Sequence, residues 1–172
     1  MALRSATHEP HAAGRFLRLL QSLTVGVLGL YAGSMLTEGF VLVPYWRSLP
    51  PEAFFTWYAA NDARLFGYFG PLTIVMAALA LATAVVAMLE RSPGRWLAVF
   101  VAAMALVAVA MFPLYFQHVN ASFAAGTVPE SDLPGELARW DHWHRLRVVL
   151  SVVALGLALI GLDACRARPP RR

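Results

Sequence analysis

"LFGYFGPLTIVMAALALATAVVAML", residues Leu65 to Leu89, runs without one charged side chain. A helix rises 1.5 Å per residue, so roughly 20 apolar residues cross the ~30 Å hydrocarbon core of a bilayer. This stretch is long enough to do so. Within lipid, every backbone N–H and C=O must be satisfied inside the segment, which makes a helix the form such a run takes. Two more runs read the same way. Between Leu19 and Trp46 the only charged residue is Glu38, and from Trp96 to Pro129 the only side chain that titrates near neutral pH is His118. A fourth, Val148 to Leu162, has 15 residues, enough for about 22 Å. To span, it must recruit the turns before Val148, which draws Arg147 and His144 into the outer edge of the membrane.

The fold expected is all-α: a transmembrane four-helix bundle forming one membrane domain over 1–172. Its spans fall at about 19–43, 66–89, 96–118 and 143–163, with short outer helices before the second and fourth and polar tails at 1–14 and 166–172. Composition agrees. Of the 172 residues, 59% are hydrophobic and 14% charged, and mean hydropathy is +0.58, far from the soluble balance. Runs such as "AALALATA" and "AAMALVAVA" supply small residues that let helices approach closely, a packing device rather than a site.

All basic residues are arginines, and the net charge is +4. Arg4, Arg15 and Arg18 precede the first span, Arg91 and Arg95 sit in the turn "ERSPGR", and Arg166, Arg168, Arg171 and Arg172 end the chain. The positive-inside rule puts these segments, and so both termini, in the cytoplasm, with the expected location a bacterial inner membrane. The bilayer is then the first partner; "RARPPRR" favours anionic lipid, and nucleic acid is not indicated. The lone Cys165 excludes an intrachain disulfide and reads as a free thiol. His8 and His11 read as solvated.

Counting about 20 residues outward from each cytoplasmic boundary reaches Glu38, the neighbourhood of Tyr68, Tyr115 with His118, and Trp143 with His144. All four arrive at one level under the outer face. Helical spacing puts Trp140, His144 and Arg147 on one face, turns His142 and Arg145 elsewhere, and pairs Tyr31 with Glu38. Ionisable residues in a membrane usually face the bundle interior and pair. Glu38, His118, His144 and Arg147 are therefore expected to line one pocket, with Tyr31, Tyr68 and Tyr115 near it. Tyr45, Trp46, Trp57, Tyr58, Trp96, Trp140 and Trp143 lie near the interfaces, where such rings act as anchors.

The two outer connections echo each other. "SLPPEAFFTWYAANDARLF" and "SDLPGELARWDHWHRLRVV" share Leu-Pro-x-Glu, then a tryptophan, then an arginine seven residues on (Trp57 to Arg64, Trp140 to Arg147). Proline in the first turn and glutamate at its positive end mark a helix start.

The pattern Trp140-x-x-x-His144-x-x-Arg147, following Asn120 after the third span, resembles the anthrone oxygenase family and its bacterial four-span relatives. The likeness covers about Gly29 to Leu162. It implies oxidation of a polycyclic phenolic substrate by dioxygen without a bound cofactor, with His144 as base, Trp140 as its neighbour and Asn120 as a polar contact.

The residues themselves allow three functions. In the first, a small lipophilic phenol enters from the bilayer, His144 takes a proton and Arg147 steadies the oxyanion, with Glu38 beside them. In the second, Glu38, His118 and His144 hold a transition metal in a redox enzyme, although Arg147 would repel a cation. In the third, the chain is a non-enzymatic module that binds a lipophile or a partner protein, a homo-oligomer among the options, and the polar layer is an ion-pair network.

Overall fold

The computed structural model describes residues 9–166, and side chains over 14–164. The calls on Arg4, His8, His11, Cys165 and the arginines from Arg166 onward lie outside the described side chains. Helix α1 (Glu9–Thr37) passes through a π-helical turn (Glu38–Leu42) into α2 (Val43–Ser48). Then come α3 (Pro51–Leu89), α4 (Arg95–Met111), a second π-helical turn (Phe112–Phe116) running into α5 (Gln117–Ala124), and α6 (Leu133–Arg166). The helices merge into four segments apolar and long enough to cross a membrane: Gly14–Ser48, Pro51–Leu89, Arg95–Ala124 and Leu133–Ala164. The chain is an all-helical, multi-pass integral membrane protein.

Both Leu-Pro-x-Glu stretches start a helix, at Pro51 and at Leu133. The outer helices continue into the spans without a break, so α3 and α6 are 39 and 34 residues long. Each π-turn has a proline near it or in it. Pro44 stands two residues past the end of the first, and Pro113 lies within the second. A proline lacks the N–H that would close the α-helical ladder, and a wider turn is one way to absorb the gap. Pro71 interrupts the ladder of α3 in the same way.

Around the bundle, α1 packs against α3 and α6, and α4 against α3 and α6. Two cores fill the inside. Toward the termini it is built of small residues, with Ala77, Ala80, Ala84 and Ala87 of α3 facing Ala98, Ala102, Ala105 and Ala108 of α4. These recur at three- and four-residue spacing, which makes a smooth stripe where two helices come close. At the tight turn before α4, a Cβ on Gly94 would lie 3.2 Å from the Gly161 carbonyl, so that approach needs glycine.

Toward the outer end the core is aromatic: Trp46, Phe54, Tyr58, Phe116, Phe123 and Trp140 are all buried. Trp46 is the hub, with ring centroids 5.2 Å from Trp140, 5.6 Å from Tyr58 and 5.8 Å from Trp57. Trp46, Tyr58 and Trp140 are thus not interface anchors as expected. Carried on α2, α3 and α6, they turn inward to one another, and edge-to-face packing holds them there. Trp96 remains exposed, in keeping with an anchor.

Candidate functional site: a buried Glu38–Arg147 pair beside a cavity open to lipid

His144 is fully buried. Its ring stacks on Trp140, with centroids 5.1 Å apart and planes 15° from parallel. Its Nε2 lies 2.9 Å from the Met35 carbonyl oxygen. A carbonyl can only accept, so Nε2 carries the proton and Nδ1 presents a lone pair. Arg147 Nη2 donates to that Nδ1 at 2.9 Å. The imidazole is therefore neutral, with both nitrogens engaged. Gly39 makes this possible: a Cβ there would stand 3.2 Å from His144 Nε2.

Glu38 begins the first π-turn and is 5% exposed. Its Oε2 lies 3.5 Å from Arg147 Nη2 and 3.4 Å from His144 Nδ1. The second contact supplies no hydrogen, because Nδ1 is already accepting from Arg147. Among the described residues, Glu38 Oε2 has no hydrogen-bond donor and Arg147 Nε no acceptor. A buried carboxylate oxygen left without a donor is costly, and the Arg147 guanidinium 3.5 Å away offsets that cost by its charge. The guanidinium is held flat over Phe116, Cζ 3.7 Å from the ring centroid, with Trp140 at 5.5 Å. Stacking of this kind suits arginine rather than lysine.

This pair forms part of the wall of a cavity of about 690 Å³. One side is α3, from Tyr58 and Asp62 past Leu65, Phe66 and Phe69 to Ile74 and Val75. The other is the third span, from Ala108 and Val109 past Phe112 and Pro113 to Gln117 and Asn120. Tyr31, Glu38, Trp140 and Arg147 close the back. Phe66, Ile74 and Val75 are exposed on the bundle surface, so the cavity opens sideways toward lipid. Phe66 and Phe112, with centroids 5.7 Å apart, cross the opening. Pro71 and Pro113 both line it, placing a ladder interruption on each side.

The structure brings Glu38, His144, Arg147, Trp140 and Tyr31 together, and Asn120 joins them by accepting from Trp140 Nε1 at 2.9 Å. It does not bring in three other expected residues. His118 is exposed, and its backbone carbonyl accepts from Ser122. Tyr68 is exposed and shares a hydrogen bond with Ser34 at 2.8 Å. Tyr115 stacks on Trp143 and donates to Glu136 at 3.1 Å, away from the cavity wall. The ligand set Glu38, His118 and His144 is therefore not assembled, and among the described residues no three His, Cys, Asp or Glu side chains converge as a metal site.

Two cavity residues were not anticipated. The sequence reads Tyr58 as an interface anchor and assigns Asp62, in the first outer connection, no role. Yet Tyr58, Asp62, Phe66, Phe69 and Thr73 recur at three- and four-residue steps, a signal available once α3 is followed back to Pro51. Nearer the outer end, buried Asp141 pairs with Arg47 at 3.1 Å and with Arg145 at 2.7 Å, tying α2 to α6. The echo between the outer connections ends at the helix starts, since Arg64 is exposed whereas Arg147 is tucked into the site.

Comparison of the chain with family models, with curated proteins and with solved structures finds no match in any of the three.

Proposed function

We propose that the protein draws a small lipophilic phenol from the bilayer into this cavity and oxidises it with dioxygen, as the anthrone oxygenases do that its Trp140, His144 and Arg147 pattern resembles. The observation behind this reading is the lipid-open cavity whose wall includes the paired Glu38 carboxylate and Arg147 guanidinium. Apolar walls with a few convergent polar groups are the usual form of a small-molecule site.

The roles differ from those expected of the motif alone. With both nitrogens bonded, His144 is a positioning residue that orients Arg147. Glu38, which reaches the cavity, is the base. It takes a proton from the activated ring CH₂ of the substrate, and Arg147 steadies the enolate oxygen. The carbanion bonds to dioxygen, and the peroxide recovers the proton from Glu38. Loss of water then leaves a carbonyl, so CH₂ and O₂ become C=O and H₂O.

Oxygen uptake and quinone absorbance, followed with anthrone as substrate, test this. Activity in the native protein and in Tyr68→Phe, but not in Glu38→Gln, is the expected pattern. Anthrone that binds without oxygen uptake would leave a lipophile-binding module, and neither binding nor uptake would overturn the reading.

A further inference from the structure

We infer that the ligand is a single-chain amphiphile, in which the uncharged hydroxyl-bearing ring system also carries a long apolar tail. This rests on the proposed reading that the cavity takes a lipophilic phenol, and it specifies which kind.

The shape of the cavity is the first argument. It follows α3 from Tyr58 to Val75, about 25 Å of helix at 1.5 Å per residue. A bare fused three-ring phenol occupies only part of that length and leaves the other end for a tail. The second is the distribution of polarity. Glu38, Asp62, Asn120 and Arg147 all lie in the outer part, whereas the far end is Ile74, Val75, Ala108 and Val109. Between the two, Thr73 donates its hydroxyl to the Phe69 carbonyl at 2.7 Å and bonds the Tyr31 hydroxyl, so these two polar groups are engaged with protein partners. A ring hydroxyl donating to the Glu38 carboxylate would therefore send its substituent past Tyr31 toward the apolar end.

Charge is the third argument. Two carboxylates, Glu38 and Asp62, line the cavity against one guanidinium, Arg147. An anionic head would add a third negative charge in a water-poor setting, which disfavours fatty acids and phospholipid phosphates. A neutral hydroxyl can donate to the Glu38 carboxylate without that cost.

The test uses the full chain in phosphatidylcholine nanodiscs, with affinities read from thermal stabilisation by 4-ethylphenol, 4-dodecylphenol and dodecanoate. Ala108→Leu and Val109→Phe fill the apolar end; two positions are used so that one misfolded variant does not decide the result. All proteins sit in the same lipid, so partitioning of the ligand cancels between them. Either folded variant should bind 4-dodecylphenol about tenfold more weakly, the effect of displacing about two methylenes, with 4-ethylphenol unchanged. In the native protein dodecanoate should bind at least about tenfold more weakly than 4-dodecylphenol. Equal loss for both phenols, loss for neither, or dodecanoate binding as well as 4-dodecylphenol would overturn the inference. If the native protein binds only 4-ethylphenol, the chain is wrong and the phenol site stands. If it binds neither phenol, the site reading itself falls and this inference with it.

Discussion

Gly39 lies directly against His144: a Cβ at position 39 would meet the ring 3.2 Å from Nε2. That nitrogen is bonded to Met35 one helical turn earlier, so α1 and α6 are locked through a histidine that only glycine admits. His144 has no room to yield, being fully buried with Trp140 stacked on it and Arg147 bonded to it. Gly39→Ala should therefore destabilise the protein by about 1 kcal/mol, the strain and weakened hydrogen bond outweighing the better helix propensity of alanine. Gly33 in the same helix has open space around it, and Gly33→Ala should be neutral or raise the melting temperature. Thermal unfolding of the two variants in one detergent checks the contrast. Equal shifts would mean that the contact is not tight.

The Glu38–Arg147 pair makes a second prediction. Removing one member of a buried pair strands the other charge, typically at about 3–5 kcal/mol, whereas removing both costs much less. Glu38→Gln and Arg147→Met should each lower stability strongly, and the double variant should be more stable than the sum of the two losses. A double-mutant cycle by chemical or thermal unfolding measures the coupling. Additive losses would show that the two side chains do not act as a pair.

Histidine 144 separates a positioning role from a ligand role. His144→Ala removes the donor to Met35 and the acceptor for Arg147 and opens a cavity, so a loss of about 3 kcal/mol is expected. The purified protein should carry no stoichiometric transition metal, because Arg147 occupies Nδ1 and the Met35 carbonyl faces Nε2. Elemental analysis of native and His144→Ala protein decides this. Bound metal that disappears in the variant would restore the metal-enzyme alternative.

Much of this was legible from residues alone. Uncharged runs define the spans because lipid tolerates little else, and counting depth from the arginine boundaries brings Glu38 level with His144. Periodicity on an uninterrupted helix also places Trp140, His144 and Arg147 on one face, and α6 has no π-turn to disturb that phase. The third span failed for the opposite reason. The π-turn at Phe112–Phe116 adds about one residue to the turn, and every side chain beyond it rotates by roughly 100° relative to an α-helical count. Beyond it Gln117 and Asn120 reach the cavity, whereas His118 faces out and Tyr115, inside the turn itself, stacks on Trp143. Trp46 and Tyr58 were misplaced because interface anchors and a buried aromatic cluster have the same composition, and only the fold distinguishes them.

The central claim is that a phenol enters between α3 and the third span and stops against Glu38. Photo-crosslinking with a diazirine-bearing 4-alkylphenol in nanodiscs, mapped by peptide mass spectrometry, tests it most directly. Labels concentrated on Phe66, Phe69, Phe112 and their neighbours, and removed by excess 4-dodecylphenol, are the expected result. Labels spread over the lipid-facing side chains Leu30, Val149 and Leu159, with none in the cavity, would contradict the account.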